Sequence, residues 1–209
     1  EAPIRLDQIG RTTLYGESGW ALLERFAYMT PPWCLRALLS VWEPPNSNLV
    51  WEPFCGTGNL VQVLAERYPT FASDIKQYDP WPGGGQVLDF FSTSAQPTAI
   101  ISNPPYGPPR TRFLVDLVER ALELTRDSKG SVAFLLKNEW DSASTRQHLL
   151  RDHRAFVLKA PLTRRPTWFA PGEGGKGDAA RHNFAWFVWD WSRMRTPGEH
   201  PSLIHVDYP

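Results

Sequence analysis

Apolar residues are spaced in two ways along this chain, and the two spacings alternate. Helical spacing recurs over Glu17 to Tyr28, where Trp20, Leu22, Leu23 and Phe26 share a face. It returns in Leu35, Leu38, Leu39 and Trp42, in Leu60, Val61, Leu64 and Ala65, and in Phe113, Leu114, Leu117, Val118, Ala121 and Leu122. Thr30-Pro31-Pro32 opens the second of these helices, with Thr30 expected as cap and proline in the first turn, and Pro44-Pro45 closes it. A further helix is expected from Ser142 to about Asp152. Between the helical stretches lie short apolar runs that read as strands: 48–52, 70–73, 86–88, 99–101, 131–136, 155–159 and 184–189. The run Ser131 to Leu136 is uninterrupted, as in a strand covered on both faces. Strands that alternate with helices predict an α/β sheet, mostly parallel, with helices on both faces. The last strand is expected to be antiparallel and to follow a long loop, Pro161 to Asn183.

Two strand ends carry residues suited to chemistry. The first run ends in Glu52-Pro53-Phe54-Cys55-Gly56-Thr57-Gly58, directly before a helix. Strand, glycine turn and helix is a geometry that binds nucleotide-like ligands. Gly56 and Gly58 let the backbone approach a ligand, and Glu52 can hold a hydroxyl or a positive charge. The run Ala99 to Ile101 leads into Asn103-Pro104-Pro105-Tyr106. Consecutive prolines fix φ and have no N–H, so the carbonyls of Asn103 and Pro104 are presented as acceptors in a set geometry. With a carboxamide and a phenol ring beside them, they suit a flat group bearing an amine. A third acid, Asp74, ends the run Thr70 to Ser73, where a ribose diol can be held. Each of these residues also has a plainer alternative as a cap, a turn residue or a core ring.

The two motifs together resemble the class I S-adenosylmethionine-dependent methyltransferases, in particular those that methylate the exocyclic amine of adenine in DNA. Thr30-Pro31, Asp74-Ile75 and Asp89-Phe90 fall in the order that family uses, and the likeness covers roughly residues 20 to 190. The resemblance implies a Rossmann-like, seven-stranded sheet and S-adenosylmethionine as cofactor. It implies that Thr30, Pro31, Glu52, Phe54, Cys55, Gly56, Gly58, Asp74, Ile75, Asp89, Phe90, Asn103 and Pro105 line the cofactor. Asn103, Pro104 and Tyr106 would be catalytic, with no metal and no covalent intermediate. Tyr106, Lys137, Arg164, Arg165, Trp168 and Phe169 would meet a nucleic acid whose target adenine is flipped or unpaired. The same motif serves enzymes acting on RNA bases or on a protein glutamine, and both stay open as alternatives.

Composition adds bounds. The 209 residues predict one domain: N-terminal helices over 1–45, a sheet core over 46–192, a substrate-side loop over 161–183 and a tail from 193. Formal net charge is zero, so no global attraction to nucleic acid exists. Arg146 to His182, however, carries eight Lys/Arg against three Asp/Glu, a local excess of the kind that meets phosphates. Gly172 to Gly177 lacks the first glycine and the final Ser/Thr of a phosphate loop, and reads as a mobile loop instead. Two cysteines, no apolar run of membrane length and no visible leader fit a reducing, cytoplasmic setting. No target-recognition domain is visible, which predicts short or relaxed sequence preference. Oligomeric state and any specificity partner are left open.

Overall fold

The structure, a computed structural model, describes residues 29–107, 111–167 and 182–207. The expected helix Glu17–Tyr28 and the rings of Trp168 and Phe169 lie outside them. Helix α1 spans Pro32–Leu39, α2 spans Asn59–Ala65 and α3 spans Phe113–Arg126. The strands are β1 Val50–Glu52, β2 Thr70–Asp74, β3 Gln86–Val87, β4 Ala99–Ser102, β5 Ser131–Lys137, β6 Phe156–Pro161, β7 Phe184–Asp190 and β8 Ser202–Leu203.

One sheet runs in the order β3-β2-β1-β4-β5-β7-β6-β8. β7 is antiparallel to both β5 and β6; every other neighbouring pair is parallel. This is the Rossmann-like arrangement expected, with its one antiparallel strand lying between β5 and β6. It differs in strand count, eight where seven were expected. The added strand, β8, belongs to the tail. Its two residues are exposed, so no buried pattern marks it, and backbone bonds hold it: Ile204 N–H to Lys159 O at 3.1 Å and Val206 N–H to Pro161 O at 2.9 Å.

Side chains of the central strands alternate between two cores, because successive residues of a strand face opposite sides. Val50, Ile101, Ala133, Leu135, Trp186 and Val188 pack with Cys34, Leu35 and Leu38 of α1 and with Leu60, Val63 and Leu64 of α2. Trp51, Ile100, Val132, Phe134, Leu136, Phe187 and Trp189 face the other way, onto Leu117, Val118, Ala121 and Leu122 of α3. β5 and β7 are therefore apolar on both faces, which explains their uninterrupted hydrophobic runs.

The helix expected over Ser142 to Asp152 is absent. Two 3₁₀ turns, Asn138–Ser142 and Ser144–Arg146, take its place, and the chain continues in turns. Leu149 and Leu150 are still buried. A helix gives its carbonyls to amides four residues on; here the amides reach back three, Leu149 N–H to Arg146 O at 2.9 Å and Leu150 N–H to Gln147 O at 3.2 Å, and the Gln147 side chain takes Ala143 O at 3.2 Å. Arg195 donates to the carbonyls of Leu150, Arg151 and His153 at 3.3, 2.9 and 3.0 Å, and Gln147 to Asp141 O at 2.9 Å. No helix among the described residues is long and apolar enough to cross a membrane.

Candidate functional site

β2-β1 runs one way from the first strand and β4-β5 the other, so the order of strands reverses between β1 and β4. In open α/β sheets ligands bind at the carboxyl ends of the strands beside such a reversal. Glu52 ends β1 and Asn103 follows the last residue of β4, so the two motifs flank this point. Asp74 ends β2 next door.

Glu52 is 1 % exposed. Its Oε1 accepts the Phe54 N–H at 3.0 Å and the hydroxyl of Ser102. Its Oε2 is buried and has no hydrogen-bond partner among the described residues. Burial pushes this carboxyl up to about 8, against the opposing pull of those two hydrogen bonds. Asp74, also buried, accepts the Gly56 N–H at 2.9 Å through Oδ2 and the Ile75 N–H at 2.7 Å through Oδ1. Burial raises it to about 6, and the backbone bonds work the other way. Two acids near one glycine turn, each held by backbone donors, form an acceptor-rich rim. Among the described residues, Oε2 of Glu52 is left there without a donor.

The turn itself depends on its glycines. Gly56 has φ +51 and Gly58 φ +90, where a side chain is strained. A Cβ on Gly58 would lie 2.9 Å from Pro82 Cβ, so the loop after β2 sits directly on the turn. Met29 lies along the other side, its Cε 3.5 Å from the Cβ position of Gly56. Phe54 is half-buried and its ring lies 5.0 Å from that of Phe90 at a tilt of 53°; Phe90 is a core ring at 3 % exposure that also meets Trp51 at 5.4 Å. Cys55 is a buried thiol, which burial pushes up. Asp89 folds back on its own chain, accepting the Phe91 N–H at 2.9 Å. Ile75 is 39 % exposed, which leaves its side chain at the surface.

Thr30 does not cap α1. The helix takes Pro31 as its N-cap residue, with no side-chain cap bond, and begins with Pro32. Proline at this position needs no N–H partner. The buried Thr30 hydroxyl instead stands 3.0 Å from Nδ2 of Asn103, and its carbonyl takes Nδ2 of Asn59 at 3.3 Å. Oδ1 of Asn103 lies 3.2 Å from the Tyr106 hydroxyl, which lies 2.9 Å from the Leu135 carbonyl on β5. Burial holds the Tyr106 phenol well above its ordinary range. Its half-buried ring is 6.2 Å from that of Phe184. Pro104 is buried and Pro105 half-buried. Lys137 ends β5, in register with Phe184 at the same sheet end.

Arg164 and Arg165 tie the described residues after β6 to those before β7 and to the rest of the fold. The Arg164 guanidinium sits over Trp33 at 4.5 Å and pairs with Asp207 at 3.0 Å, while Arg165 Nε donates to Asn183 Oδ1 at 2.9 Å. Ser102, Trp33, Asn183 and Asp207 escaped the sequence reading. Ser102 had a signal, being a hydroxyl that closes an apolar run. The other three are set by tertiary contacts across more than a dozen residues, which no local pattern encodes.

No known sequence family matches this chain, and no curated protein matches it. Solved structures do share the fold. A methyltransferase subunit of a type I restriction-modification system from Streptococcus thermophilus superposes with a TM-score of 0.53 at 12% identity, over 88% of this chain and 52% of that one. A modification subunit of a protein assigned as a type I restriction enzyme, from Vibrio vulnificus, gives 0.51 at 13% identity, over 84% and 49%. A protein from Pyrococcus horikoshii assigned as an RNA methyltransferase gives 0.50 at 15% identity, over 76% and 80%. This chain thus spans about half the length of the two restriction-system subunits. At such identities the likeness is one of fold.

Proposed function

We propose that this chain transfers a methyl group from S-adenosylmethionine to the exocyclic amine of adenine in DNA. One observation carries the reading: the glycine turn with Glu52, the acid Asp74 and the Asn103–Tyr106 segment meet at one sheet end, across the reversal between β1 and β4. S-adenosylmethionine, when bound, supplies a methyl group on a sulfonium centre. Asp74 would hold its ribose hydroxyls, Gly56 and Gly58 would let the backbone close on it, and the bare Oε2 of Glu52 offers an acceptor. Thr30, Pro31, Phe54, Cys55, Ile75, Asp89, Phe90 and Pro105 complete the lining this reading assigns. Phe90 and Phe54 form the aromatic floor there.

Adenine's amine is a weak nucleophile because its lone pair is delocalised into the ring. The Asn103 side-chain oxygen and the Pro104 carbonyl accept its two hydrogens and draw the nitrogen towards tetrahedral geometry. Catalysis is then orientation plus fixed dipoles. Tyr106 stacks on the base, and Trp168 or Phe169 would close the second face. Lys137, Arg164 and Arg165 meet the phosphates, for which Asp207 stands in as Arg164's partner. The type I restriction subunits that share the fold support DNA as the substrate class. In this reading the chain is one methyltransferase domain, with residues 161–183 on the substrate side and relaxed sequence preference.

Two measurements test the proposal. Calorimetry with S-adenosylmethionine should show binding that falls at least about tenfold in Asp74→Ala, the factor expected for lost charged hydrogen bonds. Unchanged affinity in a folded variant rejects the ribose assignment. Labelled methyl transfer to duplex DNA, single-stranded DNA, RNA and protein extract should favour DNA; transfer to RNA or to a protein glutamine alone rejects the substrate.

A further inference from the structure

The Tyr106 hydroxyl has two close neighbours, Leu135 O at 2.9 Å and the Asn103 carboxamide at 3.2 Å. It owns one proton. If that proton went to an oxygen of Asn103, the hydroxyl and the Leu135 carbonyl would face each other at 2.9 Å as two oxygens with no proton between them. A carbonyl only accepts, so the Tyr106 proton belongs to Leu135. Tyr106 then shows Asn103 only lone pairs, and the group it meets has to be the NH₂ end. The two ends of a carboxamide have nearly the same shape, and the surrounding network decides which is which. At the far end stands the Thr30 hydroxyl, 3.0 Å away, which can donate as readily as accept.

We infer that the Asn103 carboxamide is turned so that NH₂ meets Tyr106 and the oxygen meets Thr30, and that Thr30 is a positioning residue for the amino-transfer site. The chain of donors is then complete: Thr30 O–H to Asn103 oxygen, Asn103 N–H to Tyr106 oxygen, Tyr106 O–H to Leu135 O. Every contact has one proton. The consequence is chemical and rests on the proposed function. Leu135 is fully buried in the sheet, whereas Thr30 follows Met29, which lies along the glycine turn. The inferred turn puts the acceptor on the side of the glycine turn. The Thr30 O–H donates to one lone pair of the Asn103 oxygen and leaves the other for an amine hydrogen. The opposite turn would show NH₂ to an amine, donor against donor.

Side-chain amide NMR of the ¹⁵N-labelled protein tests this without turnover. The Asn103 NH₂ signals are assigned by their loss in Asn103→Asp. Tyr106→Phe removes the acceptor and should move the bonded proton upfield, while Thr30→Val leaves the pair near its place. A larger movement in Thr30→Val, or movement of equal size in both, overturns the inference. Kinetics add a second readout. Thr30→Val should lower kcat about tenfold, the factor one ordinary hydrogen bond represents, a loss larger than any rise in cofactor Kd from its place at the edge of the lining. Thr30→Ser should restore it. A raised Kd with kcat intact would make Thr30 a cofactor contact instead, against the positioning role. If the wild type transfers no methyl group, the proposed function fails, and the spectra still decide the carboxamide.

Discussion

Glu52 holds a carboxyl out of water with one oxygen bonded and the other bare. Such a group favours its neutral form, since burial penalises charge more than two donors offset. Its pKa rises from 4.5 to about 8, and that of Asp74 from 3.8 to about 6. Between pH 4.5 and 8 the folded chain therefore binds more protons than the unfolded one, so stability falls as pH rises through that window. The effect for a fully buried acid is on the order of several kcal/mol. Glu52→Gln keeps an acceptor for Phe54 and Ser102 and should flatten the decline. Urea unfolding at pH 5, 6.5 and 8 measures it; parallel curves for the variant and the wild type would contradict the assignment. The acids were legible in the sequence because each closes an apolar run. Thr30 was legible as important but not in its role, because a cap and a partner for Asn103, 73 residues away, look alike in one dimension.

Elements were legible where burial fixes the pattern and obscure where distant groups intervene. β5 and β7 declared themselves as apolar runs because both faces are covered. The stretch 142–152 has helical spacing, yet the Gln147 side chain takes the Ala143 carbonyl a helix would give to its own N–H, and Arg195, about forty residues on, holds the carbonyls at the far end. β8 gave no signal because its side chains are exposed. The union of α1 with the sheet is equally invisible in sequence, and one bond illustrates it: Trp186 Nε1 donates to Cys34 O at 2.7 Å, wholly buried. Trp186→Phe removes that second donor from a carbonyl already in the helix ladder and should cost about 0.5–1.5 kcal/mol for the bond. Chemical denaturation reads the loss, and a variant within a few tenths of the wild type would show that α1 is held by packing alone. Because α1 follows Thr30, the same variant reports whether the site's edge depends on that bond.

Across the whole molecule the charges cancel, and any attraction to nucleic acid comes from local placement. The segment 146–182 holds the basic excess, and two of its arginines, Arg164 and Arg165, are held by Asp207 and Asn183. Binding to DNA should weaken linearly in log Kd against log salt. Arg164→Ala should reduce that slope by about 0.7–0.9, one phosphate's share; fluorescence anisotropy over a salt series checks this, and an unchanged slope removes Arg164 from the interface. The central claim is methyl transfer to adenine's amine by Asn103 and its neighbours. It is tested most directly by treating DNA with the protein and labelled S-adenosylmethionine, then digesting to nucleosides and resolving the products. The account predicts label in N6-methyladenine for the wild type and its loss by about a hundredfold or more in Asn103→Ala, the scale for removing a placed catalytic dipole. Label in another nucleoside, or full activity in a folded Asn103→Ala variant, would contradict it.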